Sequence, residues 1–358
     1  MYDYFAMKTE RGIFMKKLAR LLSLVLALVL CASVSMAAAE ETELPKGDWY
    51  VGFSNFSIGN SWRVQMEAEF KAYADKLKSE GVIRDYVMMN SDGDVSKQIA
   101  DVRDLISMGV DVICITAASP KALAPVCEEA EEAGVKVISF NEIIDSNKLT
   151  CILNQDEYQR GYEAGKWLAE AIGGKGNIVC INGIAGTAND EQRSTGCKDA
   201  LKDYPDIKIL TEVYADWDYA TAKAAMQDIM AAYSGIDGIF AQGSAATQAV
   251  VDTYAEAKMP FVPVAYGEDN NGFLKVWKQY VDQGLVTCAT TCPVYCSAYA
   301  LQMAVRVLNG EQVDAYYDIP LVMIEPSTID QYVREDLPDS YWADTWLNED
   351  QLQALFNN

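Results

Sequence analysis

Histidine is missing altogether from these 358 residues. Its absence removes Ser-His-Asp and Cys-His catalysis, histidine general bases and every histidine-containing metal site. The chain also lacks a Gly-x-x-x-x-Gly-Lys-Ser/Thr loop and a Gly-x-Gly-x-x-Gly turn, so neither phosphate-binding signature is available. Gly173-Gly174-Lys175-Gly176 sits between a helix-period segment and a strand-like run and reads as a helix stop. Positive charge is scarce: 29 Lys and Arg stand against 52 Asp and Glu, a net charge of −23. That balance argues against nucleic acid and anionic membrane surfaces as partners. The apolar run Leu21 to Leu30 falls short of a membrane span, which needs about 20 residues.

What precedes and follows that run is informative. Lys16, Lys17 and Arg20 stand before it, and small residues follow to Ala37-Ala38-Ala39. This is the layout of a secretory signal over residues 1–39, cleaved after Ala38 or Ala39, with Met15 a more natural start than Met1. Cys31 invites a lipid anchor, but Leu30 is too bulky for the usual lipidation site, which disfavours it. Removing 1–39 takes away five positive and two negative charges and shifts the net charge from −23 to −26. Several remaining cysteines, such as Cys114 and Cys180, lie inside apolar strand-like runs, where a free thiol acts as a small hydrophobe. A large regular chain has little need of a disulfide framework, so mostly free thiols are expected.

Two metal patterns are weak. Cys288, Cys292 and Cys296 are spaced by four, but Pro293 interrupts any single helix through them and no fourth ligand is evident. Asn90, Asp92, Asp94, Ser96 and Gln98 alternate like calcium-loop oxygens, yet Val95 occupies the position that needs glycine. Asp94 reads better as a helix N-cap. Neither a metal nor another cofactor is expected.

From Trp49 onward, short apolar runs alternate with helix-period segments. The first half gives strands at 49–53, 82–89, 111–116 and 135–140, with helices at 60–79, 95–109 and 119–133 between them. Val95, Ile99, Val102, Leu105 and Ile106 share one helical face, and Gly109 ends that helix. The second half repeats the order, with strands at 177–182, 207–214, 238–241 and 261–266 and helices at 156–172, 188–202, 219–233, 245–257 and 270–283. A strand at 285–291, a helix at 293–309 and a strand near 319–324 rejoin this scheme, and a short helix is expected at 349–356. The fold class is therefore α/β, with two similar lobes that are each a parallel sheet flanked by helices on both faces.

The loop Ser54 to Arg63 lies between the first strand and the first helix, at the carboxyl edge of a sheet where open α/β folds bind ligands. It carries an indole, a guanidinium and several amide and hydroxyl groups. It reads as one wall of a pocket for a small polar molecule, with a capped helix start as the structural alternative.

Several runs resemble the type I periplasmic binding proteins, in the ribose-binding-protein-like branch that serves sugar ABC transporters. Val95 to Ile115 is similar to that family's second helix and third strand. Asn154 to Ala169 resembles the helix entered after the first hinge crossing, and Gly183-Ile-Ala-Gly-Thr with Arg193-Ser-Thr-Gly resembles the opening of the second lobe's site. The likeness spans about 49–326. It implies two lobes joined by a three-crossing hinge: 49–153 plus about 288–318 forming the first, 154–287 plus about 319–330 the second, and 331–358 a tail.

By position, the resemblance implies ligand contacts from Asn60, Trp62 and Arg63 in the first lobe, followed by Asn141 and Glu142. The latter pair replaces a common Asp-Arg and so reverses a charge. From the second lobe it implies Arg193, Trp217, Ser244 and Glu268, with Thr291 on the hinge side. The indoles suit the C–H faces of a sugar ring, and the polar groups suit its hydroxyls. The expected function is that of an exported binding protein, periplasmic or at the cell surface, and not an enzyme. Its expected partners are a small-molecule sugar and the permease of an ABC importer at the membrane, without nucleic acid, and a monomer is expected. Competing readings are a non-sugar polar ligand, a sensory receptor component, or a carboxylate-based glycan hydrolase.

Overall fold

The structure, a computed structural model, describes residues 44–356. The expected signal segment, the start at Met15 and Cys31 lie outside the described residues.

The first half of the chain folds as β1 (Trp49–Asn55), α1 (Ser61–Ser79), β2 (Ile83–Asn90), α2 (Val95–Ser107), β3 (Val112–Ile115), α3 (Pro120–Glu132), β4 (Lys136–Phe140) and β5 (Cys151–Asn154). The second half runs α4 (Glu157–Ala171), β6 (Lys175–Asn182), α5 (Ala188–Leu201), β7 (Asp206–Tyr214), α6 (Tyr219–Ala232), β8 (Gly238–Ala241), α7 (Ser244–Glu256), β9 (Val264–Glu268), α8 (Asn271–Tyr280) and β10 (Thr287–Thr290). Then come α9 (Cys296–Leu308), the short strands β11 (Tyr316–Asp318) and β12 (Met323–Ile324), and α10 (Glu349–Phe356).

Two six-stranded sheets result, ordered β2-β1-β3-β4-β5-β11 and β7-β6-β8-β9-β10-β12. All pairings are parallel except β10 with β12. Wholly buried strands such as Val112–Ile115 show why the runs are continuously apolar: helices cover both faces. In the first lobe Leu105, Ile113, Leu123 and Val137 fill one face. On the other, Phe53 packs against Phe70 and Phe140, with ring centroids 4.3 and 6.0 Å apart. Among the described residues no helix is long and apolar enough to cross a membrane. Eight buried cysteines are free thiols.

Apart from ends shifted by one or two residues, as at β1, β6 and β10, the sheets depart from the sequence reading in four places. β5 was not expected; its four residues carry no periodic signal of their own. β9 starts at Val264, not at residue 261, since Pro263 has no N–H to donate to a ladder. The single strand expected near 319–324 is two, β11 and β12, which end up in different sheets on either side of Pro320. Finally, the expected lobe boundary at 287/288 falls inside β10, which pairs with β9 in the second sheet. The return to the first lobe thus follows Thr290.

The chain passes between the lobes after β5, after β10 and between β11 and β12. Beyond β12 it crosses once more. Asn271 Nδ2 of the second lobe donates to the carbonyls of Leu337 and Pro338, and eight residues after Pro338, Trp346 stacks on Tyr295 at the start of α9, with centroids 4.9 Å apart.

Close helix packing orders the second lobe. A Cβ on Gly161 would lie 2.1 Å from the Arg193 carbonyl, and one on Gly196 would lie 2.1 Å from that of Tyr158. The two glycines let α4 and α5 meet backbone to backbone, which sets Glu157, Arg160 and Arg193 side by side.

Candidate functional site

The two sheets turn their carboxyl ends toward a shared cavity of about 450 Å³. Nine of the ten residues singled out from the sequence line it: Asn60, Trp62, Arg63, Asn141 and Glu142 from the first lobe, and Arg193, Trp217, Ser244 and Glu268 from the second. Thr291 does not. Its N–H donates to the Val322 carbonyl at 2.9 Å, which holds it in the crossing, and the next residue, Cys292, lines the cavity instead.

The first wall is built on the N-terminus of α1. Asn60 caps the helix, its Oδ1 accepting from the Arg63 N–H at 3.0 Å. Arg63 is fixed by donating to Thr116 Oγ1 at 3.0 Å and to Asn141 Oδ1 at 3.1 Å, and its guanidinium lies 4.0 Å from the centre of the Phe56 ring. Burial lowers its pKa to about 10, against the pull of Glu142. The Trp62 indole N–H donates to the Cys292 carbonyl at 3.0 Å, tying the wall to the crossing after β10.

Glu142 follows Asn141, whose φ of 58° turns the chain sharply at the end of β4. Burial raises the Glu142 pKa to about 7, with Arg63 opposing that rise. Glu142 Oε2 accepts from the Asn189 N–H of α5 at 3.1 Å, a bond between lobes. Glu142 Oε1 and Asn189 Oδ1 are buried and have no hydrogen-bond partner among the described residues.

A charged cluster underlies the second wall. Arg193 Nε donates to Glu157 Oε2 at 2.5 Å, and Arg193 Nη1 lies 3.2 Å from Glu268 Oε1. Arg160 pairs with Glu157 at 2.9 Å and also donates to Thr290 Oγ1 and Gln155 Oε1. Burial disfavours the charge on Arg193, but Glu157, Tyr266 and Glu268 together keep it firmly ionised. Glu157 is likewise held below the usual carboxylate range: burial pushes its pKa up, and Arg160 and Arg193 outweigh that effect. Glu268 and Ser244 bond reciprocally, the Glu268 N–H donating to Ser244 Oγ at 2.8 Å and the Ser244 N–H to Glu268 Oε2 at 3.4 Å.

Trp217 occupies a left-handed turn, with φ of 51° there and 55° at Asp216. Its indole lies where a Cβ on Gly183 would be, 2.1 Å from the ring, so only glycine admits it. The Arg193 guanidinium sits 5.7 Å from the ring centre, and the indole N–H is buried without a partner among the described residues. Sequence reasoning missed Asn189, Gln248, Asn270 and, from the tail, Trp342. Asn189 and Asn270 stand at helix starts on the same sheet edges, a signal that could have found them. Trp342 had none.

No group of three or more His, Cys, Asp or Glu side chains among the described residues is arranged to hold a metal ion. The arrangement is a polar cavity with aromatic sides, closed by two lobes of one topology. The family model for the periplasmic binding protein domain matches residues 51–312. The chain belongs to this family.

Within it, the sugar-binding solute receptors of ABC transporters are the relatives. The chain is 25% identical to the ribose import binding protein RbsB of Escherichia coli, over 87% of this chain and 98% of that one. It is 29% identical to a xylitol-binding protein of Mycolicibacterium smegmatis over 50% of the chain, a match that spans 51% of that relative's length. Among solved structures, an ABC transporter solute-binding protein of Thermobispora bispora superposes with a TM-score of 0.77 at 30% identity, covering 86% of this chain and 95% of that one. One from Actinobacillus succinogenes with bound D-allose gives 0.67 at 26%, covering 80% and 100%. These relatives are binding proteins, not enzymes.

Proposed function

We propose that the protein is an exported receptor that captures one small neutral sugar between its lobes and presents it to an ABC importer. The observation that carries this reading is the set of unpartnered polar atoms at the cavity wall: Glu142 Oε1, Asn189 Oδ1 and the Trp217 indole N–H. Two acceptors and one donor, buried and unpaired, each cost about 1–3 kcal/mol until a ligand pairs with them. A hydroxyl both donates and accepts, so a polyhydroxylated ring can satisfy all three. The wall also carries five carboxyl groups, Glu142, Asp216, Asp218, Glu268 and Asp339, against two guanidinium groups, Arg63 and Arg193, a balance that disfavours an anionic guest.

Capture works by hinge closure. A ligand that touches Arg63 on one lobe and Trp217 on the other gains its full contacts only when the lobes meet, and that difference drives closure. The Glu142–Asn189 bond across the seam supports the closed arrangement. A thermal-shift screen of mono- and disaccharides tests the proposal, because a saturating ligand raises apparent stability by mass action. A rise with at least one neutral sugar is expected. No rise with any sugar, alongside a rise with a charged metabolite such as an amino acid, would overturn it.

A further inference from the structure

Residues 337–347 pass from the second lobe to the first along one side of the cavity. On the second lobe, the N–H groups of Asn271 and Gly272 donate to the carbonyls of Tyr341 and Asp339, at 2.8 and 3.0 Å. Asp269 Oδ2 accepts from the Asp344 N–H at 2.6 Å. On the first lobe, Gln65 holds Trp342 by both ends of its peptide: the Trp342 N–H donates to Gln65 Oε1 at 2.9 Å, and Gln65 Nε2 donates to the Trp342 carbonyl at 3.0 Å. The Trp342 indole N–H donates to Ser61 Oγ at 3.0 Å. Four residues on, Trp346 stacks on Tyr295 at an interplanar angle of 2°, and Glu69 accepts from its N–H and from the Thr345 hydroxyl.

Trp342 is thus an indole fixed at three points, 7% exposed, in the cavity wall beside the starts of α1 and α8. It lies thirty residues past the end of the family-model match at residue 312. An indole so immobilised loses little entropy when a ligand packs on it, and its flat face offers area to the C–H groups of a sugar ring. It also fills space that a larger guest would need.

We propose that the tail is a third wall of the binding cavity and that Trp342 is a specificity-determining residue, admitting a single sugar ring and shutting out a disaccharide. The proposal rests on the reading of the cavity as a sugar site. The test is calorimetric titration of the whole protein with the best monosaccharide from the thermal screen and with disaccharides containing it. Trp342→Ala and Trp342→Phe are compared with the parent, and Trp346→Phe serves as a tail control away from the cavity.

In Trp342→Ala, monosaccharide affinity should fall by about tenfold or more, a loss of about 1.4 kcal/mol. The affinity ratio of disaccharide to monosaccharide should rise. Trp342→Phe keeps an aromatic face and should shift the ratio less, which reports on the site even where the alanine variant does not fold. Trp346→Phe should leave the ratio as it is. If the parent binds a sugar and neither Trp342 variant changes the ratio, the third wall is wrong and the sugar reading stands. If the parent binds no sugar at all, both fall together.

Discussion

The Asn189 N–H of the second lobe donates to the Glu142 carboxylate of the first at 3.1 Å, and the other oxygen of that carboxylate has no partner among the described residues. One side chain therefore both joins the lobes and faces the cavity. Its pKa is raised to about 7, chiefly by burial. A ligand hydroxyl that donates to it favours the ionised form. Affinity should then tighten as pH rises through about 7 and level off above it, while Glu142→Gln should bind with little pH dependence. Calorimetry across that range checks this, and an unchanged pH profile in the variant would remove Glu142 from the site.

The two cavity indoles should behave differently. Trp62 has spent its N–H on the Cys292 carbonyl, whereas that of Trp217 is unpaired. Trp62→Phe leaves a buried carbonyl unsatisfied and should lower stability by about 1–3 kcal/mol. Trp217→Phe removes an unpaired donor and breaks no hydrogen bond, so it should weaken binding while lowering stability less than Trp62→Phe does. Alanine at either position should cost about tenfold or more in affinity with the fold intact. Equal calorimetric affinity for all four variants and the parent would refute both assignments.

Buried carboxyls set the response of stability to pH. Glu69 and Glu142 have pKa values raised to about 7, mainly by burial, and burial also raises that of Asp344. In the unfolded chain these groups titrate near their ordinary values, about 4. Between roughly pH 4.5 and 7 the folded state therefore holds more protons than the unfolded one, so stability falls as pH rises across that window. The ligand-free protein should melt at a higher temperature at about pH 5 than at about pH 7.5, and Glu69→Gln should flatten the difference. A higher melting temperature at the upper pH would contradict the assignment.

Gly161→Ala tests the helix contact beneath the second wall. The new Cβ would meet the Arg193 carbonyl at 2.1 Å, and backbone cannot yield as a flexible side chain would. A loss of about 1–3 kcal/mol in chemical denaturation is expected. Sugar affinity should fall as well, because Arg193 moves with its helix.

The sequence made the lobes legible because buried parallel strands and amphipathic helices leave strong periods, as at Val112–Ile115 and in the helix from Val95. The wall residues could be named because loops at the carboxyl edges of such sheets are where open α/β folds form a binding crevice, and Asn60 and Arg63 do line the cavity there. What stayed hidden has no local signature. Cys151–Asn154 is a strand only because β4 and β11 flank it. Residues 316–324 read as one strand because the break at Pro320, and the choice of sheet on either side, are settled by tertiary pairing. Thr291 and Cys292 differ by one residue in a crossing where no periodicity fixes which of them faces inward. Trp342 reaches the cavity through Gln65, some 277 residues earlier in the chain, and no spacing rule connects them.

The tail also ties the cavity to the cores of the lobes. Trp342 follows every strand of both sheets in the chain, and its neighbours Leu337, Tyr341, Leu347 and Leu352 pack with Ala68 and Ala72 of α1, so the segment that lines the cavity also completes a core. A chain cut short after β12 would lose that packing, and Ile329 from the second lobe's core, together with one side of the cavity.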